Sequence, residues 1–130
     1  MTRFETQMLP GEPDVTAPDG SDVRVLPQIA GASMAHFELP PGNTSRAVAH
    51  RTVEEAWFVV GGEGEMWRKL GDQEEVVKLT PGVALTLPLG THFQFRATGD
   101  EPLQAVGFTV PPWPGEDEAF AVTGPWQASV

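Results

Sequence analysis

Apolar and polar residues alternate with a period of two along several short stretches of this chain. In the stretch from His92 to Ala97, Phe93, Phe95 and Ala97 share one parity while His92, Gln94 and Arg96 share the other. From Ala35 to Leu39, the residues Ala35, Phe37 and Leu39 form an apolar face that leaves His36 pointing outward or into a contact. This period puts successive side chains on opposite faces of an extended strand. Segments rich in Val, Phe, Trp and Thr predict strands at Asp22 to Leu26, Ser33 to Leu39, Arg46 to Arg51, Glu55 to Val60, Glu63 to Leu70, Glu74 to Leu79, Ala84 to Leu87, His92 to Arg96 and Leu103 to Val110. No segment carries a sustained helical stripe, so helix is at most a minor component.

Punctuation between these segments supports the same picture. Thirteen prolines and 14 glycines fall largely between them. Gly61-Gly62, Leu70-Gly71-Asp72, Pro81-Gly82 and Gly99-Asp100 supply residues that accept the positive φ of tight turns. Short strands at this spacing predict an all-β fold, a small antiparallel sandwich or barrel. Residues 1–21 are polar, acidic and Pro/Gly-containing and read as an N-terminal arm. Residues 22–112 form the barrel body, and 113–130 a Pro/Trp-rich tail that packs on the barrel or on a partner subunit. Within the tail, Glu116, Asp117 and Glu118 favour a short helix start, where negative charge meets the positive end of the helix dipole.

Composition narrows the function. A chain of 130 residues is about one domain. It has no apolar run near the ~20 residues that span a bilayer, and its N-terminus lacks the apolar stretch of a secretion signal, so a cytoplasmic protein without a membrane partner is expected. With no cysteine, any metal must be held by His, Asp or Glu. The net charge of -10, from 18 acidic and 8 basic residues, repels a phosphate backbone and argues against a nucleic-acid partner. Phosphate-cradling GxxxxGK[ST], a helix-opening GxGxxG and GxSxG are all absent.

Two stretches carry a more specific pattern. From Gly42, five residues lead to Val48, then His50, then Glu55 after four more and Gly62 after a further six. Further along stand Gly82, Pro88 and Gly90, with Phe93 and Ala97 at the spacings that follow. The first stretch resembles the first motif of the cupin family, Gly-x5-His-x-His-x3-4-Glu-x6-Gly, and the second resembles Gly-x5-Pro-x-Gly-x2-His-x3-Asn. Val48 and Phe93 occupy two histidine slots, Ala97 occupies the asparagine slot, and His92 sits one residue early. The resemblance covers roughly residues 30 to 110. It implies a double-stranded β-helix, or jelly-roll barrel, in which the usual four-ligand metal site is incomplete.

On that resemblance the face shared by Val48 and His50 looks into the barrel, and Glu55, Trp57 and Val59 form the inward face of the next strand. His50 and Glu55 can bind a divalent metal, share a proton as tentative catalytic groups, or form a buried hydrogen bond. Val48 has no donor atom and contributes apolar wall. His92 points outward by alternation, but a bulge at Pro88 to Thr91 would turn it inward. His50, Glu55 and His92 would then make a two-histidine, one-carboxylate set for Fe, Mn, Ni or Zn. Arg46 shares the parity of Val48 and His50 and is either a clamp for a substrate carboxylate or a barrel-end residue reaching water. Thr52 could line the mouth. Trp57, Phe93 and Phe95 could wall a pocket for a small aromatic or apolar molecule. Trp113, between two prolines, and Trp126 could cover a barrel opening or pack on a partner.

Two function classes follow. One is a barrel that binds a small organic molecule in its interior without the usual metal. The other is a metal-dependent enzyme of the dioxygenase, isomerase or cyclase kind that uses His50, Glu55 and His92. The family's habit of pairing through edge strands and terminal arms predicts a homodimer.

Overall fold

The computed structural model describes residues 3–130. Eleven strands build two antiparallel sheets that face one another. In chain order the strands are β1 (Val15–Thr16), β2 (Asp22–Val25), β3 (Ser33–Leu39), β4 (Val48–His50), β5 (Glu54–Gly61), β6 (Gly64–Leu70), β7 (Gln73–Leu79), β8 (Ala84–Leu87), β9 (His92–Ala97), β10 (Leu103–Val110) and β11 (Ala119–Ala121). One sheet has the order β1-β2-β3-β10-β5-β8 and the other β11-β4-β9-β6-β7. Among the described residues the only other regular element is a 3-10 turn at Glu116–Glu118, where the three acidic residues stand together. The fold is all-β, as the alternation predicts, and it is the jelly roll that the family resemblance implies.

Each of the nine predicted strands is present with ends moved by no more than two residues, and the largest change is at Arg46 to Arg51, which contracts to Val48–His50. At that end the backbone is engaged elsewhere. The Arg46 amide donates to the Asp19 carbonyl and the Ser45 amide to the Phe95 carbonyl. Two further strands were not predicted. β1 lies in the arm and pairs Val15 with Val23, while β11 lies in the tail and pairs Ala119 with His50. Neither is long enough to show a period, and each pairs with the edge of a neighbouring strand.

The core lies between the sheets. Leu39, Val59, Met66, Leu79, Leu87, Phe93, Phe95 and Leu103 are almost wholly buried there. Burial of each such side chain contributes roughly 1.5–3 kcal/mol. In β5 the alternation is strict: Glu55, Trp57 and Val59 face inward and are buried, while Glu54, Ala56, Phe58 and Val60 face outward and are exposed. Gly62, which closes the first motif, turns β5 into β6 at φ 76°, and a Cβ there would meet the Pro102 carbonyl oxygen at 2.2 Å. Both the backbone angle and the close approach require glycine.

The outer faces of the sheets are covered in two places. His36 is on the outer face of β3, as alternation requires, yet it is only 3% exposed and meets the Gln104 side chain at 3.0 Å. It sits across from Arg24, whose guanidinium is fastened to the arm through the Pro10 and Gly11 carbonyls. Gln94, outward-facing on β9, is buried because the tail crosses it and exchanges hydrogen bonds with it through the backbone of Trp126. The Trp126 ring lies under the Arg96 guanidinium at 4.1 Å, a cation–π contact outside the barrel.

Candidate functional site

The space between the sheets opens at one end into a cavity of about 350 Å³. Its walls come from β3, β4, β5, β9 and β10, and its rim from the arm and the tail. Phe37 and Trp57 stack with ring centres 5.1 Å apart, and Val48 and Phe93, direct partners across β4 and β9, form the opposite wall. β10 contributes Gly107, directly across from Trp57. A Cβ at that position would stand 2.5 Å from a Phe37 ring carbon, 3.1 Å from Glu55 Oε2 and 3.3 Å from Trp57 Cδ1. The bare strand therefore lets these three side chains lie close over the cavity floor.

Into this apolar space project His50 and Glu55, 8% and 7% exposed. The His50 Nδ1 and a Glu55 oxygen are 3.9 Å apart, beyond hydrogen-bond range. Among the described residues neither side chain makes a hydrogen bond to the protein. His50 is held edge-on between Phe93 and Trp113, with ring centres 5.3 and 5.2 Å away. Its backbone is fixed by pairing with Ala119 of β11. Glu55 faces Thr109 of β10, whose hydroxyl is already engaged by Ser33. The Trp57 indole N–H is turned toward Glu55 but does not complete a hydrogen bond, and no other acceptor reaches it.

The charge states follow from this burial. Removal from water pushes the Glu55 carboxyl up to about 8; the nearby Trp57 N–H works against this, and the negative field of Asp19 adds to it. Burial pushes the His50 imidazolium down, with Glu118 opposing. At neutral pH the pair is thus a carboxylic acid and a neutral imidazole. One can donate a proton and the other accept one, and both present their polar atoms to the cavity.

Two segments remote in sequence, the arm and the tail, hold this geometry. Asp19 of the arm lines the cavity, accepts from the Ser21 amide and hydroxyl at 2.9 and 2.6 Å, and is itself pushed up by burial. The turn between β4 and β5 is clamped by Glu118, which accepts from the Thr52 amide and hydroxyl and from the Val53 amide at 2.6, 2.5 and 2.8 Å. Burial raises the Glu118 carboxyl, but these donors outweigh it and hold the group below the usual carboxylate range. Trp113, 36% exposed, forms part of the mouth.

Of the residues singled out from the sequence, the cavity gathers His50, Glu55, Val48, Trp57 and Phe93, with Trp113 at its mouth. The others lie elsewhere. Arg46 is exposed and donates from Nε to the Val130 carbonyl, so it cannot clamp a carboxylate inside the barrel. Thr52 is committed to Glu118. Phe95 packs edge-on beneath Trp57 in the core, beyond the cavity wall. His92 stays on the outer face: the pairing of β6 with β9 runs without a break from Lys69–His92 to Gly64–Ala97, so no bulge turns it inward. Phe37, Asp19 and Gly107 were not singled out. Phe37 was recognisable as part of an apolar strand face, but nothing in the pattern marks Asp19 or Gly107.

A divalent ion does not fit these residues. Among the described residues no three His, Asp or Glu side chains come together as a metal-holding group. Val48 and Phe93 present carbon where donors are needed.

A family model described as a cupin domain matches residues 35–110. No curated protein matches the chain. Among solved structures, oxalate decarboxylase from Bacillus subtilis, described with Mn(II) centres, has a TM-score of 0.71 at 16% identity, over 85% of this chain and 30% of that one. The capsular polysaccharide assembling protein CapF from Staphylococcus aureus has a TM-score of 0.66 at 15% identity, over 78% and 32%. The chain spans about a third of the length of either, and at these identities the likeness is one of fold.

Proposed function

The chain belongs to the cupin family, and from that premise we propose that it is a binding barrel that holds a small apolar or aromatic organic molecule in its interior without a metal. The observation that carries this reading is the His50–Glu55 pair: two polar side chains, buried in a largely hydrocarbon cavity and bonded to nothing in the protein. Buried polar groups without partners cost stability, and sites that keep them commonly use them on a ligand. A cavity of about 350 Å³ is within the size range of small-molecule pockets. Trp57 and Trp113 line it, so occupancy reports through tryptophan emission.

The test is a fluorescence titration with a panel of monocyclic and bicyclic aromatics, repeated with Val48→Trp to fill the cavity. Saturable quenching in the wild type and its loss in the filled variant supports the reading. Absence of saturable quenching across the panel, with no shift in melting temperature, refutes it.

A second reading rests on the same pair. A carboxylic acid and a neutral imidazole facing one bound molecule are an acid and a base for moving a proton between two of its atoms. The metal-dependent alternative drawn from the family needs a third ligand, and His92 stands outside the barrel. Turnover of a bound molecule by the wild type in the presence of chelator, abolished in His50→Ala, would favour the enzyme over the carrier.

A further inference from the structure

We propose that the cavity selects ligands carrying a protonated amine on an apolar or aromatic body, and excludes carboxylates. This deepens the binding-barrel reading and rests on it.

Three carboxyl groups line the cavity: Asp19 from the arm, Glu55 from β5 and Glu116 from the 3-10 turn. No Lys or Arg lines it. Arg46 stands outside the wall and donates from Nε to the Val130 carbonyl; its charge acts on Asp19 from there without an ion pair. His50 is the one basic group in the wall, and burial disfavours its charged form. A carboxylate entering here would meet the negative field of Asp19 and find no cation among the described residues of the wall. An ammonium group would supply the counter-charge that the wall lacks, and would hold Glu55 in its ionised form.

Acidic side chains alone would not make a site, but Glu55 is nine-tenths buried, unpartnered and aimed into the cavity. The rest of the wall suits the same ligand. Phe37 and Trp57 stack on one side and Trp113 stands at the mouth, and the faces of aromatic rings attract cations. His50, neutral and 3.9 Å from Glu55, offers an acceptor nitrogen or a donor N–H according to its tautomer. An ammonium group has three donors and can satisfy carboxylate, imidazole and ring face together.

The experiment compares three probes of one shape by isothermal titration calorimetry at neutral pH: phenethylamine, 2-phenylethanol and 3-phenylpropionate. The expected order is amine, alcohol, carboxylate, with the amine about tenfold tighter than the alcohol, the margin of a charge-assisted over a neutral hydrogen bond. Glu55→Gln should bring the amine down to the alcohol's affinity. Equal binding of amine and alcohol, or tighter binding of the carboxylate, overturns the selectivity while leaving the binding barrel intact. Failure of all three, in wild-type protein that melts cooperatively, overturns both. Should Glu55→Gln fail to fold, Glu116→Gln at the exposed rim is the second variant, and an unchanged amine-to-alcohol ratio there together with equal wild-type affinities counts against the proposal.

Discussion

His50 and Glu55 face each other across 3.9 Å in a cavity where neither has a bond to the protein, and burial drives their affinities for protons apart. The carboxyl keeps its proton to about 8, and the imidazole gives its proton up below its usual value.

That divergence makes folding stability depend on pH in a defined window. Glu55 is raised from 4.5 to about 8, so the unfolded chain loses this proton first and stability falls as pH rises between those values. His50 is lowered from 6.5, so its contribution is present above that value and lost as pH falls through the folded-state value. Between 6.5 and 8, therefore, Glu55 acts with little opposition from His50. Urea unfolding should show the wild type losing about 2 kcal/mol relative to Glu55→Gln across this interval. Parallel pH profiles for the two proteins would contradict the assignment.

Glu118 joins the tail to the turn that carries both site residues. Glu118→Ala leaves the amides of Thr52 and Val53 without acceptors, and Val53 is fully buried. A loss of about 1–3 kcal/mol is expected at neutral pH, read as a lower urea midpoint with little change in slope. Because the Glu118 carboxyl is held below the usual range, the difference between the two proteins should shrink as the solution is acidified through its folded-state value.

The metal question can be tested by restoring donors. Val48 and Phe93 are paired directly across β4 and β9 and both line the cavity with His50 and Glu55. Val48→His with Phe93→His should retain Mn²⁺ or Zn²⁺ through gel filtration, and the wild type should not. The same double variant should be less stable without metal by about 3 kcal/mol or more, since it loses a buried aromatic side chain. Stoichiometric metal in wild-type protein would show that two donors suffice here.

The outer face of the six-stranded sheet carries an exposed apolar patch. Phe58 and Val106 are paired across β5 and β10, with Phe108 and Val60 beside them; Phe58, Phe108 and Val60 are about half exposed. Patches of this kind mark contacts between molecules. Light scattering at micromolar concentration should give twice the 14.0 kDa chain mass, and Phe58→Glu with Phe108→Glu should return it to the monomer value. A wild-type mass of a single chain would refute the homodimer.

Alternation of apolar and polar residues in β3, β5 and β9 was enough to read an all-β sandwich or barrel, because a one-residue slip would exchange the two faces of each strand. It also placed His92 outside, while His50 and Glu55 were placed inside by the family resemblance. What stayed hidden depends on contacts between residues far apart in the chain. Gln94 and His36 have the parity of surface residues and are buried because the tail and the neighbouring strands cover them. Asp19 reaches the cavity only because the Arg46 amide and Ser21 fix the arm there. Arg46 has the parity of an inward residue, but β4 does not begin until Val48, so the parity rule does not apply to it.

The absent side chain at Gly107 sets how much the site can hold. It lies on a strand whose one hydroxyl in the cavity lining, that of Thr109, is engaged by Ser33, yet any larger residue there would press on Phe37, Glu55 and Trp57 at once. Capacity and chemistry are thus written at different positions of the barrel. The bore can be narrowed at Gly107 with the acid and the imidazole both still in the chain, so ligand size and ligand charge can be altered by separate single substitutions.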